Sequence, residues 1–193
     1  MSYKILLASN SPRRREILGL LKIPFTVVTL DGIDESYPAD LEPDKISEYI
    51  SNKKANEFLK KIGDNDLIIT ADTVVICDGK IMGKPKDAED AVKMLKTLAG
   101  KTHKVTTGVT VATKDNRESY TSESYVTFAD LTEDEIRYYV DTFHPLDKAG
   151  AYGIQEWIGA VAVSKIDGSF YNVMGLPVHR LYCVLKTFQV PLR

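Results

Sequence analysis

The chain has 193 residues, 44% hydrophobic and 27% charged, the make-up of a globular protein built as one domain or as one domain with two lobes. Its 25 basic and 27 acidic residues leave a net charge of −2, which argues against a broad nucleic-acid-binding surface while allowing a local basic patch. No run of about 18 apolar residues occurs and no charged segment leads into an apolar one at the start, so neither membrane spanning nor secretion is supported and a cytoplasmic protein is expected.

Tyr3 to Ala8 reads as a short buried strand. Ser11 suits an N-cap and Pro12 the first helical position, which predicts a helix from there to about Leu21. Its first turn carries Arg13, Arg14 and Arg15, where each cation opposes the helix dipole by roughly 0.3–1 kcal/mol. A phosphate bound there would meet free backbone N–H groups and guanidinium forks together, so the turn is a candidate anion site. Phe25 to Val28 looks like a strand, and Asp31 to Asp40 an acidic loop. From Pro43 to about Ile62 the apolar positions Ile46, Tyr49, Ile50, Ala55, Phe58, Leu59 and Ile62 have helical spacing without sharing one straight stripe. Lys53 and Lys54 fall where the stripe changes face, and periodicity does not choose which of them turns inward.

Leu67 to Ala71 and Val74 to Cys77 form an apolar strand interrupted by Asp72-Thr73, and Asp78-Gly79 signals a hairpin into Lys80-Ile81-Met82. Asp87 caps a helix with an Ala91, Met94, Leu95, Leu98 stripe that stops at Gly100. Alternation from Val105 to Ala112 gives a strand, turned at Lys114-Asp115-Asn116 into a second from about Glu118 to Phe128. Thr132 and Glu135 make a capping box for a helix to Phe143. His144 to Gln155 is a Gly- and Ala-rich loop, Ile158 to Ile166 is strand-like, Asp167-Gly168 turns, and Pro177 opens a last helix with Val178, Leu181, Leu185 and Phe188 inward. Strands interleaved with helices, with hairpins between, predict an α/β architecture with a mixed sheet.

Asp72 is the most demanding residue, because a carboxylate inside an apolar strand costs several kcal/mol unless a cation or metal meets it. The arginine turn, Lys53-Lys54 and the Gly83-Lys84-Pro85 loop are the cation-rich segments that could compensate it, and Asp34-Glu35 adds carboxylates. Carboxylates with cations, and no histidine cluster, suit a hard divalent metal with a polyphosphate better than zinc. His103, His144 and His179 are scattered and receive no role. Cys77 and Cys183 sit in apolar runs without metal-ligand spacing, and both are expected to be buried structural residues. Neither a G-x-S-x-G elbow nor a Walker loop is present.

Taken in order, Ser9-Asn10-Ser11-Pro12-Arg13-Arg14, Asp34-Glu35, Ala71-Asp72-Thr73-Val74, Gly83-Lys84-Pro85, Leu98-Ala99-Gly100 to Thr107-Gly108-Val109, Asp147 to Gln155, and Gly168-Ser169-Phe170 to Gly175-Leu176-Pro177 resemble the Maf family of nucleoside triphosphate pyrophosphatases. The resemblance spans nearly the whole chain and implies a single Maf-like domain over 1–193. It implies an elongated mixed sheet flanked by helices, two lobes with a cleft, related to the inosine triphosphate pyrophosphatase fold. It implies cleavage between the α- and β-phosphates with a divalent cation, Mg or Mn. Asp72 matches the carboxylate that takes the proton of the attacking water. The resemblance further implies that Glu35 shares the metal with it, that Lys54 and Lys84 act catalytically on the phosphates, and that Ser9 and Arg14 bind phosphate. Arg13, Thr73 and Gln155 are similar to the set of the dTTP/UTP branch, whose Gln and Thr groups both donate and accept hydrogen bonds, as the uracil edge requires. The family likeness also allows a homodimer and, as an alternative function, a nucleotide-binding regulator of septum formation with incidental hydrolysis.

Overall fold

In the computed structural model, which describes residues 3–29 and 32–192, helices flank a mixed seven-stranded sheet. The strands are β1 (Lys4–Ala8), β2 (Thr26–Val28), β3 (Asp66–Cys77), β4 (Lys80–Met82), β5 (Thr102–Ala112), β6 (Arg117–Phe128) and β7 (Val163–Asp167). Their order is β2-β1-β3-β5-β6-β7, with β4 paired to β3. β1 is parallel to both neighbours, with Leu6 opposite Ile68 and Thr26, whereas β4 on β3 and β7 on β6 are antiparallel. The helices are α1 (Pro12–Gly19), α2 (Pro43–Leu59), α3 (Ala88–Leu98), α4 (Glu133–Phe143), α5 (Trp157–Ala162), α6 (Phe170–Met174) and α7 (Val178–Thr187).

The residues group into two compact units, one of 1–72, 107–122 and 175–193, the other of 73–106 and 123–174. β3, β5 and β6 each change unit partway along their length. The first unit's core includes Leu6, Ala8, Phe58, Ile62, Ile68 and Ala112. Within it α2 lies unusually close to β5. A Cβ on Gly108 would fall 2.2 Å from the backbone at Ser47 and Glu48, so only glycine lets the helix backbone rest on the strand.

In the second unit Asp87 caps α3 by accepting from the Asp90 N–H, and the Thr132/Glu135 capping box opens α4 as expected. Asp78 and Gly79 both take positive φ, 50° and 72°, which suits the tight hairpin between β3 and β4. His103, Phe128 and Tyr152 pack edge to face with ring centroids 5.0 to 5.4 Å apart. His103 Nε2 meets the Tyr152 hydroxyl at 2.8 Å. Burial drives the His103 pKa down to about 4, so this imidazole is neutral in the folded protein.

Several expectations are corrected. Residues 158–162 are not strand but the end of α5, because Ile158 and Ala162 are an i, i+4 buried pair. Gly159 also packs against the Ile154 carbonyl, where a Cβ would fall 1.8 Å from the oxygen. α6 went unread from the sequence. α1 stops at Gly19 and α2 at Leu59, short of Leu21 and Ile62. Ser11 occupies the N-cap position of α1 without a side-chain cap; its own N–H instead donates to Ser9 Oγ at 3.1 Å. Cys77 is buried, but Cys183 is exposed on α7, since the inward stripe there is Val178, Leu181, Val184 and Leu185. Tyr49 is likewise exposed. Asp31 lies outside the described residues.

Two outcomes are expected. Gly108→Ala should cost about 2–3 kcal/mol by overpacking, read as a lower urea midpoint; an unchanged midpoint would mean that α2 and β5 are not in backbone contact. His103 has a folded pKa below its unfolded value of about 6.5, so stability is full above that and falls as pH drops toward 4. Between pH 7 and 5 the parent should lose about 2 kcal/mol more than His103→Gln in denaturant titrations, and equal losses would refute a buried neutral imidazole.

Candidate active site

α2 and β3 are joined by a buried hydroxyl cluster. Ser51 Oγ lies 3.1 Å from the Thr70 carbonyl oxygen and 3.0 Å from Thr110 Oγ1, while the Thr70 hydroxyl donates to the Ser51 carbonyl at 2.8 Å. One helical step of three takes Ser51 to Lys54, and one strand step of two takes Thr70 to Asp72. The pairing of Ser51 with Thr70 therefore sets Lys54 opposite Asp72 in register.

The result is an ammonium between two carboxylates. Lys54 Nζ is 2.8 Å from Asp72 Oδ1 and 2.8 Å from Glu35 Oε1. The side chains of Lys54 and Asp72 are only 13% and 15% exposed, whereas Glu35 is 49% exposed. Lys53 turns the other way and holds Asp34 at 2.7 Å, together with the Ser36 carbonyl and hydroxyl. That contact, with the Ser36 hydroxyl and N–H donating to the same carboxylate, keeps Asp34 well below the usual carboxylate pKa range. Neighbouring lysines thus take neighbouring carboxylates, and Lys54 is the inward one.

The arginine turn meets this cluster electrostatically. Arg14 donates through Nε to the Gly175 carbonyl at 2.8 Å, which fixes the guanidinium from the residue that precedes the Leu176-Pro177 step into α7. Burial lowers its pKa from the ordinary arginine value, Asp72 and Glu35 oppose that, and the Arg13 charge adds to it. Arg13 is half-buried and Arg15 exposed. Ser9 is half-buried and its hydroxyl accepts from the Ser11 N–H, so it shapes the loop before the helix.

Lys84, Thr73 and Gln155 belong to the second unit. Thr73 is half-buried on β3, and Lys84 and Gln155 are exposed. The Gly83 carbonyl accepts from the Gly150 N–H at 3.0 Å, which ties the Lys84 loop to the 3-10 turn Ala149–Ala151 at the start of the Gln155 loop. Beneath that loop lies a buried ionic network that went unread from the sequence. Lys148 Nζ sits 2.7 Å from Asp147 Oδ1 and 3.2 Å from Glu156 Oε1, and Glu156 Oε2 accepts from the Tyr139 hydroxyl. Its only sequence signal is the Asp147-Lys148 pair opening a Gly- and Ala-rich loop.

Among the described residues no group of three or more His, Cys, Asp or Glu side chains could hold a metal by itself. Glu35 and Asp72 are the pair of carboxylates at the centre of the cluster. Two carboxylates are a fitting protein share for magnesium or manganese, which commonly completes its shell with water and substrate phosphate oxygens. No helix is long and apolar enough to cross a membrane among the described residues.

Residues 4–188 match the model of the Maf-like protein family. A dTTP/UTP pyrophosphatase of Bacteroides thetaiotaomicron is 54% identical, with 95% of each chain covered. One of Porphyromonas gingivalis is 52% identical over 96% of this chain and 94% of its own. Among solved structures, a HAM1 protein from Coxiella burnetii superposes with a TM-score of 0.51 at 12% identity, covering 96% of this chain and 99% of that one, which is a likeness of fold. The chain belongs to the Maf family.

Proposed function

We propose that this protein hydrolyses dTTP, UTP and modified uracil nucleotides to the nucleoside monophosphate and pyrophosphate, a house-cleaning activity of the cytoplasm carried by a single functional domain over 1–193. The observation that carries the reading is Lys54 held between Asp72 and Glu35 beside the Arg14 turn. The names of the relatives at about half identity support the substrate.

In this reading Asp72 takes the proton of the water that attacks the α-phosphorus, and Lys54 fixes the carboxylate's orientation for that transfer. As the bond between the α- and β-phosphates breaks, charge grows on the departing pyrophosphate. Arg14, Lys54 and Lys84 are the cations assigned to meet it, and Ser9 with the first turn of α1 receives phosphate oxygens. Glu35 and Asp72 would hold a divalent cation, which when bound neutralises phosphate charge and makes water more acidic. Arg13, Thr73 and Gln155 select the base. The Gln amide and Thr hydroxyl can match the acceptor, donor, acceptor edge of uracil and thymine.

Purified protein with magnesium or manganese should convert UTP and dTTP to monophosphate plus pyrophosphate, followed by product chromatography. Release of orthophosphate, or nucleotide binding without turnover under either metal, would remove the pyrophosphatase reading. Asp72→Asn should still fold and bind nucleotide while kcat drops at least about a hundredfold. Near-parental turnover in that variant would take Asp72 out of the proton transfer.

A further inference from the structure

A glutamine amide by itself discriminates poorly between uracil and cytosine. Rotating its terminal torsion exchanges the NH2 donor for the carbonyl acceptor, so one side chain can serve the 4-oxo group of uracil or the 4-amino group of cytosine. Selection needs an amide whose orientation is fixed by its surroundings.

One phenol holds both flanks of Gln155, the Gly153 backbone on one side and the Glu156 side chain on the other. Glu156 N–H donates to the Gly153 carbonyl at 3.0 Å, making a tight turn with Gln155 inside it. The Tyr139 hydroxyl accepts from the Gly153 N–H at 3.0 Å and donates to the Glu156 carboxylate, so it joins the first and last residues of that turn. Tyr139 is fully buried, and Lys148, 7% exposed, meets the other carboxylate oxygen of Glu156. Burial, then the Glu156 carboxylate, raises the Tyr139 pKa far above its ordinary value, which keeps the phenol a donor.

Gly153 supplies the second constraint. A Cβ there would fall 2.9 Å from Gln155 Nε2, 2.7 Å from Glu156 Cδ and 2.9 Å from Glu156 Oε2. The Gln155 amide and the Glu156 carboxylate therefore close around the same bare α-carbon. Released from Tyr139 and Lys148, that carboxylate would be free to accept from the neighbouring amide and turn it away from the base.

We propose that Tyr139, Glu156 and Lys148 are positioning residues for base selection, and that Gly153 is a specificity-determining position, because together they fix the orientation in which Gln155 presents its amide. The inference rests on the assignment of Gln155 to the base. It extends the selecting set from the residues that touch the base to the buried ion pair and phenol beneath them.

The test measures kcat and KM for UTP and CTP on the parent, Tyr139→Phe, Gly153→Ala and Gln155→Ala, each with magnesium. In Tyr139→Phe and Gly153→Ala the UTP to CTP ratio of kcat/KM should fall about tenfold, through a higher KM for UTP, with kcat within about twofold of the parent. Gly153→Ala protects the test against a folding failure of Tyr139→Phe, since Gly153 does not have positive φ and the atoms a methyl would displace are side-chain ends. If both variants lower kcat equally for the two nucleotides and keep the parental ratio, the network is only structural and the proposal is overturned. If Gln155→Ala lowers the ratio while the other two keep it, positioning fails and the base-reading role of Gln155 survives. If Gln155→Ala itself keeps the ratio, or the parent does not discriminate, the assignment of Gln155 falls and the proposal with it.

Discussion

The Lys54 ammonium lies 2.8 Å from a carboxylate on each side, and the proposed chemistry depends on that arrangement. Without the ammonium the largely buried Asp72 carboxylate would be left uncompensated, a loss that typically costs several kcal/mol, and it would also face the more exposed charge of Glu35. The same cation gives Asp72 a fixed direction. An interaction of this kind is a weak source of stability, but it specifies geometry well, which is what a proton acceptor requires.

Its placement follows from backbone rather than from the pair itself. Gly108 lets α2 rest on β5, and hydroxyl contacts of Ser51 with Thr70 and Thr110 lock the helix to β3 and β5. From there the helical and strand periods carry Lys54 and Asp72 to one another. Lys53, one residue earlier, is rotated by about 100° around the helix and so finds Asp34 instead. Two adjacent lysines and two adjacent acids are sorted by the turn of the helix together with the position of the Asp34-Glu35 loop beside it.

Much of this was legible in the sequence because the signals were local. The hairpin at Asp78-Gly79, the cap at Asp87 and the box at Thr132 and Glu135 are short-range hydrogen-bonding patterns, and each formed as read. The demand that Asp72 be met by a cation followed from the cost of burying it, and Lys54 meets it. What failed was non-local or ambiguous. Residues 158–166 read as strand-like, although the Ile158 and Ala162 pair and the close approach of Gly159 to Ile154 coil the first half. The Lys148 network is absent from the sequence reading because Glu156, which Lys148 meets, lies eight residues further along the chain, and Tyr139, the other partner of Glu156, lies on α4 before the loop. The choice between Lys53 and Lys54 lay beyond periodicity, since it depends on where the Asp34-Glu35 loop meets the helix.

The contact at Gly108 is between main chains, and this has an evolutionary consequence. A helix seated through its own backbone and a few hydroxyls relies less on the shape of the apolar side chains around it. Drift among the aliphatic residues of the first unit can therefore change volume and packing while the ammonium keeps its place. Volume-conserving exchanges at buried aliphatic positions such as Ile46 and Ile62 should be tolerated better than any side chain at Gly108, a residue that has no functional group at all.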